Sequence, residues 1–295
     1  MPQGVMEDPH LLRPLISTVT TTTISAEDED IAAASSSYPI IPRLVLLFLI
    51  GLISIWANYE ASKGFEIIII NEAGDTPAGR RFELFFVSND KVTRIILNTS
   101  EFAQRVLYPD DDHHLPKKKV DRVTVRLASR KLPHAVVVEC SNRDEFVLHI
   151  SPSVMEEANV EKAMESAVQH GMARVWLWDS EKSVPTSLLD GMVEYISIAA
   201  GFTRSPDSGN GLRLPSPESN TTCWDDDKDS VAMAHLLNYC EGLSGGFIRR
   251  LNQAMQGPWH NRMVEDALGL PAQTVCSSYY SSAFELSNTM ESTSV

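Results

Sequence analysis

The chain has 295 residues, 25 basic against 39 acidic, for a formal net charge of −14, and 43% of it is apolar. That length suits one domain with extensions, and the apolar share is enough for a true core. The acidic balance excludes nucleic acid and anionic lipid headgroups as main partners. The four cysteines (Cys140, Cys223, Cys240 and Cys276) include no C-x-x-C pair, which excludes a zinc ribbon or thioredoxin-type motif. They allow three pairings, and whether any forms depends on the compartment.

Residues 1–37 read as a disordered region: "STVTTTTISAEDEDIAAASSS" is Ser/Thr-rich, acidic and nearly free of large apolar side chains. A transit peptide fits the hydroxyl residues but not the acidic run Glu27 to Asp30. Residues 38–57 read as a hydrophobic membrane anchor. The run Leu44 to Ala57 is short of the about 20 residues a span takes, but it has no polar face. Ile40, Ile41 and a snorkelling Arg43 extend it, and Trp56 and Tyr59 suit an interface. The expectation is a single-pass membrane protein of the secretory pathway, held through residues 40–57. Arg43 at one end and Lys63 beyond the other lean only weakly towards a cytosolic N-terminus. A cleaved signal and a helix packed in the protein's own core are the rival readings.

A folded domain is expected over residues 64–280, with a loose Ser-rich tail at 281–295. "FEIIIIN", "VDRVTVRLAS", "HAVVVEC" and "EFVLHIS" read as strands. The segment from Arg81 to Tyr108 is ambiguous by period. From Glu156 onward helices take over: Val160 to Trp178, "TSLLDGMVEYISIAAGF" ended by Gly201, "KDSVAMAHLLNYCEGL" with Asp227 or Asp229 near its N-cap, "GGFIRRLNQAM" and "NRMVEDALGL". Strands first and helices after give an α+β fold, an N-terminal mixed sheet followed by a helical C-terminal half.

The chemistry lies in "HGMAR", His170 to Arg174. A zinc metallopeptidase helix carries H-E-x-x-H, two histidines on one face with a glutamate as general base for the metal-bound water. Other clusters read more plainly. "YPDDDHHLPKKK" (Tyr108 to Lys119) is a solvated loop between prolines. "CWDDDKD" lacks the glycine and final glutamate of a calcium loop and suits a helix start. "SGNG" lacks the lysine of a phosphate loop, and no G-x-S-x-G occurs. Arg249 and Arg250 read as a solvated helix face. Asn98 and Asn220 lie in glycosylation sequons.

From "FEIIIINEAGDTPAGRRF" to about Cys276 the chain resembles the plant basic secretory protein family, the "peptidase of plants and bacteria" domain. Phe65, Asn71, Ala73, Thr76, Pro77, Gly79, Arg81 and Phe82 match its opening segment in order. Val175, Trp176 and Trp178 match the end of its H-E-x-x-H-V-W-Q-W helix, and "LLDGMVEYI" matches L-I-E-G-I-A-D-Y-V. Trp224, Asp225, Asp229, Ala232, Leu236, Tyr239, Cys240, Gly246, Phe247, Leu251 and Asn252 match its later W-D…Y-C…G-F-x-x-x-L-N pattern. The resemblance implies a zincin-like metallopeptidase domain, but not its catalytic set. His170 keeps the first ligand position, Gly171 stands at the base, Arg174 at the second ligand, Leu177 at the glutamine and Asp190 at the third ligand.

With base and second ligand replaced, zinc is expected to be lost, along with catalysis. Arg174 is expected either on the surface or in the vacated metal volume, paired with Asp190. The reading is a membrane-anchored, non-catalytic binding or scaffold module. Its cleft residues are His170, Arg174, Asp190 and Glu194, with a peptide or glycan as ligand. Association of the family with secretion and pathogen response suggests a role in plant defence or the secretory pathway. The alternative is a metallopeptidase with a displaced zinc site on His170, Asp190 and Glu194 or His235.

Overall fold

The computed structural model describes residues 40–62, 64–108, 116–179, 183–202, 224, 229–271 and 273–281. Two compact units divide near Trp56. In the first lies most of helix α1 (Ile40–Ser62), 23 residues and about 35 Å long at 1.5 Å per residue. Its described large apolar side chains, Leu44 to Ile55, are open to solvent, Leu52 at 47% and Ile55 at 70%. Among the described residues no helix is long and apolar enough to cross a membrane. The uninterrupted part of α1 with described side chains is residues 44–55, fewer than the about 20 a span takes.

The second unit carries a four-stranded mixed sheet of order β1-β2-β4-β3, made of β1 (Glu66–Asn71), β2 (Arg122–Leu127), β3 (Val136–Asn142) and β4 (Glu145–Ile150). β1, β2 and β4 run parallel, with Ile68 opposite Thr124 and Thr124 opposite Val147. β3 returns antiparallel on β4, with Val138 opposite Leu148 and a bulge between Cys140 and Asn142. Val123, Val125 and Leu127 of β2 are fully buried and Thr124 nearly so, as a parallel strand covered on both faces requires.

The ambiguous segment after β1 is helical, so the sheet is not laid down in one run of strands. It forms α2 (Pro77–Phe82), a π-helical stretch (Glu83–Val87) and α3 (Lys91–Leu107). The matched opening segment builds the start of this run. Thr76 caps α2 by accepting from Gly79 N at 3.0 Å, Pro77 takes the first-turn position, and Asn71 Nδ2 donates to Gly79 O at 2.9 Å. Gly79 is packed so closely on the Ala73 carbonyl that no Cβ fits there.

The helical half follows: α4 (Val160–Trp176), α5 (Thr186–Ala199), α6 (Ser230–Leu243), α7 (Phe247–Ala254), α8 (Arg262–Leu268) and a last helical segment at 273–281. α4 is shorter than expected, because Leu177 turns extended. Gly201, at φ 86, follows α5 as the sequence suggests. α5 and α6 cross where Gly191 meets the Met233 side chain with no room for a Cβ. Arg249 and Arg250 are exposed, as a solvated face requires, but Arg250 is also engaged. Its guanidinium donates to Ala267 O at 2.7 Å and Gly245 O at 2.9 Å, tying α7 to α8. Cys276 is disulfide-bonded, and Cys140 and Cys240 are free thiols.

Candidate functional site

α4 lies against the sheet on one side and α5 on the other. Its start is fixed by Asn159, whose side chain accepts from Lys162 N at 3.0 Å. Its end is fixed by the "VWLW" run. Trp176 is buried, donates from Nε1 to Ser100 Oγ at 2.9 Å, and packs edge-on to Phe65 and Tyr108. The Trp178 amide donates to Asn252 Oδ1 at 3.0 Å, which explains why the family pattern pairs these distant residues.

This frame sets His170 towards α5. Nδ1 is 2.9 Å from Ser166 O, and Nε2 is 2.9 Å from Glu194 Oε2. A carbonyl oxygen only accepts, so Nδ1 carries a proton. Nε2 then either donates to a carboxylate or accepts from a carboxylic acid, and both ring nitrogens are occupied. Glu194 is 3% exposed and stands where the family pattern has aspartate, so it is the buried acid facing His170. Asp190, one turn earlier, is exposed and does not join the pair. The protein on one side of Asp190 raises its carboxyl pKa, opposed by Arg174 and His134.

Arg174 does not pair with Asp190. Its Nη2 donates to Asp179 Oδ2 at 2.7 Å. The extended turn at Leu177 brings Asp179 back under the guanidinium, a local closure that orders less chain than reaching across to α5. Arg174 thus still faces a carboxylate, but one from its own helix end. His235 is exposed on α6, and among the described residues no three His, Cys, Asp or Glu side chains are grouped to hold a metal ion.

Gly171, at the general-base position, faces the sheet. A Cβ there would lie 2.6 Å from Leu148 Cδ2, 2.9 Å from Leu148 Cγ and 3.4 Å from Val136 Cγ2. The close approach of α4 to β3 and β4 therefore depends on this residue having no side chain.

Lys118 is half-buried, although "PKKK" reads as a solvated loop. Its Nζ donates to Leu177 O at 2.6 Å and lies 4.8 Å from the Phe146 ring centroid. Burial, helped by the Arg174 charge, lowers its pKa to about 8. Tyr108, at the other end of that stretch, donates to Trp176 O at 2.8 Å. Residues 109–115 between them, including the acids and both histidines, lie outside the described residues, as do Asn220, Asp225 and "SGNG". Asn98 is exposed on α3, and Ser100 of its sequon is buried under Trp176.

The site is thus an α+β domain in which one helix, wedged between a mixed sheet and a helical half, presents a histidine to a buried glutamate. The profile of the family described as "Peptidase of plants and bacteria" matches residues 62–279, and the chain belongs to that family. Searches of curated proteins and of solved structures give no match.

Proposed function

We propose that the chain is a membrane-anchored, non-catalytic member of its family, keeping a zincin-like domain as a binding module. The observation that carries this reading is Arg174 at the second ligand position, a cation already paired with Asp179, beside Gly171 packed on Leu148 at the base position. The donor chemistry does not fit a hydrolytic zinc. His170 alone keeps a ligand position, with Nδ1–H on a backbone carbonyl and Nε2 facing Glu194, and one histidine does not hold the ion. Arg174 is a permanent cation, and Gly171 has no group to activate water. What remains at the cleft is a set of charges, Arg174, Asp179 and Asp190 beside the His170–Glu194 pair, suited to hydrogen-bonding a peptide or a glycan.

The anchor reading rests on α1, helical over 23 residues and with its described large apolar side chains uncovered. The disulfide at Cys276 supports a domain in an oxidising compartment, hence the secretory pathway, with defence as the role the family suggests. Zinc analysis of the purified full chain tests the central claim. Zinc retained at one equivalent through dialysis, with peptidase activity lost on chelation, establishes the displaced-site enzyme instead. Protease protection of the chain in microsomes tests the anchor and its orientation.

A further inference from the structure

A shallow pocket of about 270 Å³ opens beyond the carboxyl ends of the strands, lined by Thr76 and Arg81 after β1, Ser129 and Lys131 after β2, and Ser153 and Glu156 after β4. Loops that converge beyond parallel strand ends are where open α/β sheets hold their ligands. The pocket is separate from the His170 cleft. α4 starts at Val160, just after Glu156, and His170 lies about 15 Å along its axis.

Arg81 is the unexplained residue of the family-matched opening segment. Asn71, Thr76 and Gly79 build the turn, and Phe82 is fully buried against Phe86. Even the neighbouring Arg80 is used, donating to Asp75 O at 2.9 Å. Arg81 is exposed and, among the described residues, makes no hydrogen bond or ion pair, and neither does Lys131. The two cations share one lining, and among the described residues neither is bridged to a carboxylate. Hydroxyls complete the lining: Ser129, and Ser153, whose Oγ is 2.8 Å from Ser151 Oγ.

We propose that this pocket binds a small organic oxyanion, a carboxylate or a phosphate, held by Arg81 and Lys131 with Ser129 and Ser153 as hydroxyl donors. The planar guanidinium gives two parallel N–H donors to such a group, and the ammonium adds charge from the other wall. Glu156 on the same lining opposes a second full negative charge and accepts from a hydroxyl or ammonium elsewhere on the ligand. The proposal does not rest on the fate of the zinc site.

The experiment is calorimetric titration of the purified full chain in detergent micelles, at constant ionic strength, with inorganic phosphate and separately with succinate. Saturable one-to-one binding of at least one probe is expected, and the one that binds identifies the headgroup. Arg81→Gln and Lys131→Gln should each weaken it about tenfold or more. Arg80→Gln should leave it unchanged, and unaltered circular dichroism shows that each variant is folded. Absence of saturable binding by both probes, or equal affinity in folded Arg81→Gln, overturns the proposal.

Discussion

Gly171→Ala separates packing from helix propensity, because the two predict opposite signs. In the interior of α4, propensity alone favours alanine by about 1 kcal/mol. The structure says otherwise. The new Cβ would sit 2.6 Å from Leu148 Cδ2 and 2.9 Å from Leu148 Cγ, where ordinary contact begins at 3.4 Å. Moving the terminal methyl is not enough, since Cγ is also too close, and Leu148 is fully buried in the sheet core. Overpacking of this kind costs about 2–3 kcal/mol. The net expectation is a loss of about 1–2 kcal/mol, or about 3–6 °C in a domain of this size. Urea unfolding followed by circular dichroism measures it. A midpoint that rises in Gly171→Ala would refute the close-packing argument. Restoring the motif by Gly171→Glu with Arg174→His should be worse. It drives a carboxylate between α4 and the sheet and removes the Arg174–Asp179 pair, so no peptidase activity should return.

Lys118 predicts a pH dependence. Its pKa falls from 10.5 unfolded to about 8 folded, so between those values the unfolded chain binds the extra proton and stability rises with pH. The rise is about 1.4 kcal/mol per pH unit and at most about 3 kcal/mol over the window. It should be lost in Lys118→Met. Cys240 acts oppositely above pH 9, since burial pushes its thiol to about 12, so the clean interval is pH 8–9. A wild-type stability that is flat across that interval, matching Lys118→Met, refutes the desolvation of Lys118. A maleimide should label exposed Cys140 in the native protein and fully buried Cys240 only on unfolding; mass spectrometry reads both sites. Arg250→Ala should cost about 1–3 kcal/mol by leaving the Ala267 carbonyl without its charged donor, and denaturant unfolding measures it.

All four strands could be placed from local pattern, because "FEIIIIN" and its counterparts are short apolar or alternating runs between turn residues. Arg81 to Tyr108 could not. Its apolar residues sit at spacings that fit either period, and helix is chosen by what α3 packs against, including Trp176 far along the chain. Lys118, in a stretch that reads as solvated, is half-buried, and exposed Arg250 still finds a carbonyl partner on α8. Long charged side chains look solvated in sequence, and only tertiary neighbours supply the carbonyls and rings that engage them.

At the cleft the sequence by itself settled identities: a histidine at the first ligand position, glycine where a base would stand, an arginine that cannot bind metal. Those follow from side-chain chemistry and need no coordinates. Tertiary structure decided the partners. His170 meets Glu194 rather than Asp190, because the two carboxylates lie one turn apart and only the later one is carried into the buried face of α5. Arg174 meets Asp179, because the chain turns back at the end of α4. Partner choice depends on where elements cross and end, and the residue pattern of one helix does not encode that.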